Sequence, residues 1–96
     1  MKFLKNKRAI IIGFGGMGKR YYKALKDCGF QITYICDANI KKVDTINKEI
    51  FIKNYKFLIK EKADLLCVVT NTTDRYKILL DFLKNSPIKK IITEKP

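Results

Sequence analysis

Residues Ile10 to Gly18 read I-I-I-G-F-G-G-M-G, and the reading of this stretch decides the fold. Ala9 to Ile12 is an apolar run rich in β-branched residues, the composition of a strand buried in a parallel sheet. The run stops at Gly13, and Gly15 and Gly18 follow at the spacing G-x-G-x-x-G. The first glycine permits a tight turn, the second lets a pyrophosphate approach the backbone, and the third lets helix and strand pack closely. A helix starting here would turn its unpaired N–H groups and the positive end of its dipole toward a bound phosphate. Many folds share this motif, so its meaning depends on the rest of the chain.

The pattern continues outward in alternation. A helix is expected over Met17 to Cys28, with Met17, Tyr21, Leu25 and Cys28 at helical spacing toward the sheet and Lys19, Arg20, Lys23 and Lys26 on the other side. Gly29 is suited to end it in a left-handed conformation. Gln31 to Cys36 (Q-I-T-Y-I-C) reads as a second strand, so strand, glycine turn, helix and strand occupy about 30 residues, one βαβ unit. Asp37 follows, 19 positions after Gly18. A carboxylate there can accept hydrogen bonds from adenosine ribose hydroxyls and would repel a 2′-phosphate, favouring NAD(H) over NADP(H). The other use for Asp37 is as a turn or cap residue before a short helix over Ile40 to Asn47.

Further on, Ile50 to Ile52 reads as a third strand, and Asn54 as the cap of a helix over Tyr55 to Lys62 with Phe57 and Leu58 inward. Leu65 to Thr70 (L-L-C-V-V-T) is a buried fourth strand. A helix capped by Thr72, Thr73 or Asp74 would pack Tyr76, Leu79, Leu80 and Leu83 inward and stop at Ser86-Pro87. Lys89 to Thr93 is a fifth strand, leading into Glu94-Lys95-Pro96. Strands alternating with helices predict one α/β domain over residues 1–96, a Rossmann-like, doubly wound parallel sheet of order 3-2-1-4-5 with helices on both faces.

Composition narrows the function classes. Apolar residues make up 47% of the chain, which argues for a folded domain. The formal charge of +12 comes from 21 Lys and Arg against 9 Asp and Glu. Only Arg8, Arg20 and Arg75 are arginine, and the lysines are scattered, so a nucleic-acid surface is not the expected partner. Cys28, Cys36 and Cys67 form no C-x-x-C, and the chain has no His, so no common zinc site can be assembled. Inert thiols fit a reducing cytoplasm. No apolar run is long enough to span a membrane, and no signal peptide is evident.

Ligands of an open parallel sheet bind beyond the carboxyl ends of its strands. Four features fall there: Gly13 to Gly18, Asp37, Thr70-Asn71-Thr72 and Glu94-Lys95. G-F-G-G-M-G, then Asp37, then V-V-T-N-T, then a closing E-K-P resemble the N-terminal cofactor domain of the Gfo/Idh/MocA oxidoreductases, over essentially the whole chain. The E-K-P after an apolar strand is the most specific part. The resemblance implies that Phe14, Gly16 and Met17 line the pyrophosphate with their backbone, together with Gly13, Gly15 and Gly18. It implies that Thr70 and Asn71 flank the adenosine and nicotinamide-ribose side, that Glu94 contacts the nicotinamide ribose, and that Lys95 assists proton transfer from a substrate hydroxyl. The implied activity is hydride transfer between NAD(H) and a sugar or cyclitol hydroxyl carbon.

Two features depart from the family pattern. Relatives usually carry a His shortly after a T-P-N-like segment, where this chain has Arg75 and Tyr76, and the Pro of that segment is missing. Relatives are also much longer, with an α+β C-terminal domain that holds the substrate pocket. The chain is therefore expected to be a fragment or truncated product that binds a dinucleotide, reaches a sugar-like substrate only through a missing domain, and does not turn over alone. The alternative is a non-catalytic nucleotide-binding or NAD(H)-sensing module. An apolar edge at the fifth strand would invite homo-oligomerisation.

Overall fold

The computed structural model describes residues 6–38 and 50–94. The first strand, β1 (Arg8–Ile12), takes the centre of the sheet, with Ala9, Ile10, Ile11 and Ile12 all buried. It pairs in parallel with β2 (Gln31–Cys36) on one side and β4 (Leu65–Val68) on the other. The edges are β3 (Phe51–Ile52) and β5 (Ile91–Thr93), which gives the order β3-β2-β1-β4-β5 anticipated from the sequence. The helix expected over Ile40 to Asn47 lies outside the described residues.

Side chains alternate across a strand, so β1 feeds two cores. Ile10 and Ile12 pack with Leu66, Val68, and Ile78 and Phe82 of α2 (Thr72–Asn85). Ala9 and Ile11 pack with Ile35, Cys67, and Leu25 of α1 (Gly16–Cys28). The helices thus cover opposite faces, α1 against β1 and β2 and α2 against β4. Each fully buried Ile or Phe contributes about 1.5–3 kcal/mol, so β1 and Phe82 carry much of the driving force.

The pairing of β2 with β1 contains one irregularity that keeps these faces separate. Ala9 opposes Ile32, but Ile10 opposes Tyr34, so Thr33 is the extra residue of a bulge. Without it, Ile32 and Ile35, three positions apart, would point to opposite faces. With it, both enter the α1-side core. The Thr33 hydroxyl donates to the Ala9 carbonyl at 3.4 Å and occupies the gap.

Helix faces differ from the sequence expectation. On α1 the inward positions are Gly18 and Leu25, with Tyr21 and Tyr22 half-buried, whereas Met17 and Cys28 are exposed. Gly18 meets the Gly13 carbonyl just after β1, and Met17 is exposed. On α2 the inward stripe is Arg75, Ile78 and Phe82; Leu79 packs against the same core as expected, Leu80 is half-buried, and Tyr76 (74% exposed) and Leu83 (70%) face outward. Its N-cap is Asn71, one residue before the expected candidates, with Oδ1 accepting from the Asp74 N–H at 3.0 Å. The helix expected over Tyr55 to Lys62 is a single 3-10 turn, Tyr55–Leu58, capped by Asn54 as anticipated. Three residues per turn bring positions 55 and 58 onto one side. Tyr55 and Leu58 therefore pack inward, and Phe57 is 78% exposed. The Tyr55 hydroxyl donates to Asp81 Oδ2 on α2, and burial, then this bond, pushes the phenol up to about 12.

The junction of β1 and α1 is tightly packed. A Cβ on Gly18 would lie 2.0 Å from the Gly13 carbonyl oxygen. Gly13 has φ +99°, a backbone that favours glycine. Gly29 closes α1 in the left-handed conformation, with its N–H on the Lys26 carbonyl and the Phe30 N–H on that of Leu25, each at 3.0 Å. Gly18→Ala is expected to destabilise the chain by about 3 kcal/mol or more, the upper end of overpacking costs, read from the urea midpoint. An unchanged midpoint would contradict the described contact. Burial pushes the Cys36 thiol up to about 12 and the Cys67 thiol up to about 11, while Cys28 is exposed. A thiol-labelling reagent at mildly alkaline pH should therefore modify Cys28 alone in the folded chain and all three cysteines in denaturant. Rapid native labelling of Cys36 or Cys67 would rule out this packing.

Candidate functional site

A cleft of about 1060 Å³ opens at the carboxyl ends of the strands. It lies where the sheet order reverses, between the loop after β1 and the loop after β4, the usual crevice of an open α/β sheet. The two loops touch backbone to backbone. A Cβ on Gly13 would come within 2.9 Å of the Val69 carbonyl group and the Thr70 nitrogen. The Gly13 N–H also donates to the Cys36 carbonyl at 2.7 Å, which joins the end of β1 to the end of β2.

Of the residues singled out in the sequence, Gly13, Phe14, Gly15, Asp37, Thr70 and Asn71 all line this cleft. Phe14 buries its ring among Tyr22, 5.9 Å away by centroid, and Phe51, at 5.5 Å, both edge-on. Its N–H donates to Asp37 Oδ2 at 2.7 Å. Asp37 thus serves the glycine loop directly, a task that its position in the sequence did not reveal. Asn71 uses its side-chain oxygen to cap α2, and Thr70 donates through Oγ1 to the Asn71 carbonyl at 3.4 Å.

The fit of a dinucleotide can be judged from the glycines. Among the described residues, a Cβ on Gly15 or Gly16 would meet no atom within 4 Å, unlike one on Gly13 or Gly18. Packing within the protein therefore does not require glycine at either position, and the open space lies at the helix start where a phosphate would come close. No side chain caps this end of α1, and its first turn holds no acidic residue. The leading N–H groups and the helix dipole are thus available to an anion. The residues present fit the pyrophosphate role.

Gly16, Met17 and Gly18 form the first turn of α1 and do not line the cleft. Glu94 lies off it as well, where its Oε1 accepts from the Tyr21 hydroxyl at 2.8 Å. Lys95 lies outside the described residues. Of the pair standing where a His is usual, Arg75 is turned inward (7% exposed) and Tyr76 outward. The far wall was not singled out in the sequence. It comprises Lys53, Asn54, Tyr55, Lys56 and Phe57 after β3, with Lys77 and Ile78 of α2 opposite. Only the pairing of β3 beside β2 brings that segment to the cleft, and no motif marks it. Among the described residues no cluster of His, Cys, Asp and Glu could hold a metal, and no helix is long and apolar enough to cross a membrane.

Similar solved structures share the architecture. Scyllo-inositol dehydrogenase from Lactobacillus casei, in its apo form, superposes with a TM-score of 0.79 at 16% identity, covering 100% of this chain and 30% of that one. A probable dehydrogenase from Thermotoga maritima gives 0.76 at 22% identity, covering 93% and 28%. An NAD-binding protein from Listeria innocua gives 0.75 at 22% identity, covering 96% and 28%. At these identities the likeness is one of fold, and the chain spans less than a third of the length of these structures. No curated protein sequence matches it significantly. The model of the oxidoreductase family with an NAD-binding Rossmann fold matches residues 7–96. With nearly the whole chain matched, the protein belongs to the Gfo/Idh/MocA oxidoreductase family, as its NAD-binding Rossmann domain.

Proposed function

We propose that this chain is the cofactor-binding part of a cytoplasmic dehydrogenase that prefers NAD(H) and acts on a hydroxyl of a sugar or cyclitol. The observation that carries this reading is the convergence of Gly13 to Gly15, Asp37 and Thr70-Asn71 on one cleft at the switch point of the sheet. The backbone of Gly13 to Gly18 would hold the pyrophosphate, Asp37 the adenosine ribose, and Thr70 and Asn71 the span between adenosine and the nicotinamide ribose. Glu94 would contact that ribose. When bound, the nicotinamide gives or takes a hydride at C4. Lys95 would move the proton of the substrate hydroxyl. The inositol dehydrogenase among the structural neighbours supports the substrate class. A second domain would supply the substrate pocket, so turnover is assigned to the longer enzyme.

Two substitutions test the cofactor assignment by titration calorimetry. Gly15→Ala meets open space and should leave the unfolding midpoint unchanged, yet weaken NADH by about tenfold or more by occupying the approach to the pyrophosphate. Equal affinity in the two proteins would remove the phosphate from this loop. Asp37→Asn keeps an acceptor for the Phe14 N–H and removes the charge. The preference for NADH over NADPH should then fall by about tenfold, as expected when one close like-charge repulsion at a partly exposed site is lifted. An unaltered ratio would sink the ribose assignment, and failure of the unaltered chain to bind NADH would sink the reading as a whole.

A further inference from the structure

Glu94 and Tyr21 are 73 residues apart, and the hydrogen bond between them joins α1 to the residue following β5. The ring of Tyr21 is half-buried and packs against the α1-side core. A phenylalanine would satisfy that packing equally well. The hydroxyl is therefore surplus to the core, and it is the hydroxyl that reaches Glu94. Its neighbour Tyr22 offers a contrast, with its hydroxyl accepting at 3.4 Å from Lys26 Nζ on the same helix, an exposed local contact. The strand that leads to Glu94 is tied down as well, because the Thr93 hydroxyl donates to the Val68 carbonyl at 2.9 Å. The first tie sets the carboxylate against α1, and the second sets the residue before it against β4.

We infer that Tyr21 is a positioning residue for the nicotinamide half of the cofactor, orienting the Glu94 carboxylate through its phenolic hydroxyl. The inference rests on the proposed dinucleotide reading, and specifically on Glu94 meeting the nicotinamide ribose. The helix that carries Tyr21 also presents its N-terminus to the pyrophosphate, so one rigid element would set both the phosphate site and the carboxylate beyond it. The bond to Glu94 is the largest of the influences that push the Tyr21 phenol above its ordinary value. The phenol therefore stays protonated, and stays a donor, throughout the neutral range.

Separate titrations of the chain with NADH and with ADP test this, because ADP lacks the nicotinamide ribose. Tyr21→Phe should weaken NADH about fivefold, the scale of one lost hydrogen bond, and leave ADP within about twofold. In a Glu94→Ala background the same change should cost nothing further. If Tyr21→Phe weakens both ligands equally, its role is purely structural, and if it weakens neither, the bond has no bearing on the cofactor. Either result overturns the inference while the dinucleotide reading stands. If the unaltered chain does not bind NADH, both fall. A measurement that does not depend on the variant folding is ¹³C NMR of tyrosine labelled at Cζ in the unaltered chain. NADH should shift the Tyr21 resonance and ADP should not. Identical shifts with the two ligands would also overturn the inference.

Discussion

The contact between Gly18 and the Gly13 carbonyl is the constraint on which the rest of the site depends. β1 is the central strand, and both β2 and β4 take their register from it. What happens at its carboxyl end therefore sets the edge of the whole sheet. Gly18 lets α1 approach until a Cβ would lie 2.0 Å from that carbonyl. Gly13, at φ +99°, turns the chain and leaves room for the loop after β4. Any side chain at either position would separate layers that now touch through backbone alone. The loops after β1 and β4 thereby meet backbone to backbone beside the cleft of about 1060 Å³.

The strand order and the glycine junction were legible because they rest on local composition: a fully apolar run, a fixed glycine spacing, and strands alternating with helices. The helix faces were harder to read. On α2 two stripes compete, Tyr76, Leu79, Leu80 and Leu83 against Arg75, Ile78 and Phe82. The first is the more apolar, and a charged residue within the second argues against it. The structure buries the second, with Phe82 fully enclosed, and of the first brings Leu79, half-buried, against the same core. The Asn71 cap sets where α2 starts, and packing of Ile78 and Phe82 against Ile10, Ile12 and Val68 outweighs the presence of a buried arginine. The bulge at Thr33 was visible only in the strand pairing. Ile32 and Ile35 have opposite parity in a regular strand, yet both are buried on one face.

The candidate site was legible where it follows strands in chain order, at Gly13 to Gly15, Asp37 and Thr70-Asn71. It was illegible where tertiary pairing alone creates it. Lys53 to Phe57 reaches the cleft because β3 pairs with the end of β2, and the 3-10 turn behind it is too short to show a helical period. The partnership of Tyr21 with Glu94 spans most of the chain, and no spacing rule connects them.

Several polar side chains at this edge already serve the protein itself. Asp37 accepts from the Phe14 N–H, Asn71 caps α2, and Glu94 accepts from Tyr21. At the opposite end of β1, Asp64 does the same work for the Arg8 N–H at 2.8 Å. A carboxylate or amide held in this way has lost its rotamer freedom before any ligand arrives, so less ordering entropy opposes binding. The same arrangement constrains change. A residue that both shapes the loop and faces the cleft tolerates only exchanges that keep an acceptor, because otherwise its half-buried backbone partner is left unpaired, at a cost of about 1–3 kcal/mol. At Asp37, one carboxylate therefore both holds the glycine loop and faces the cleft.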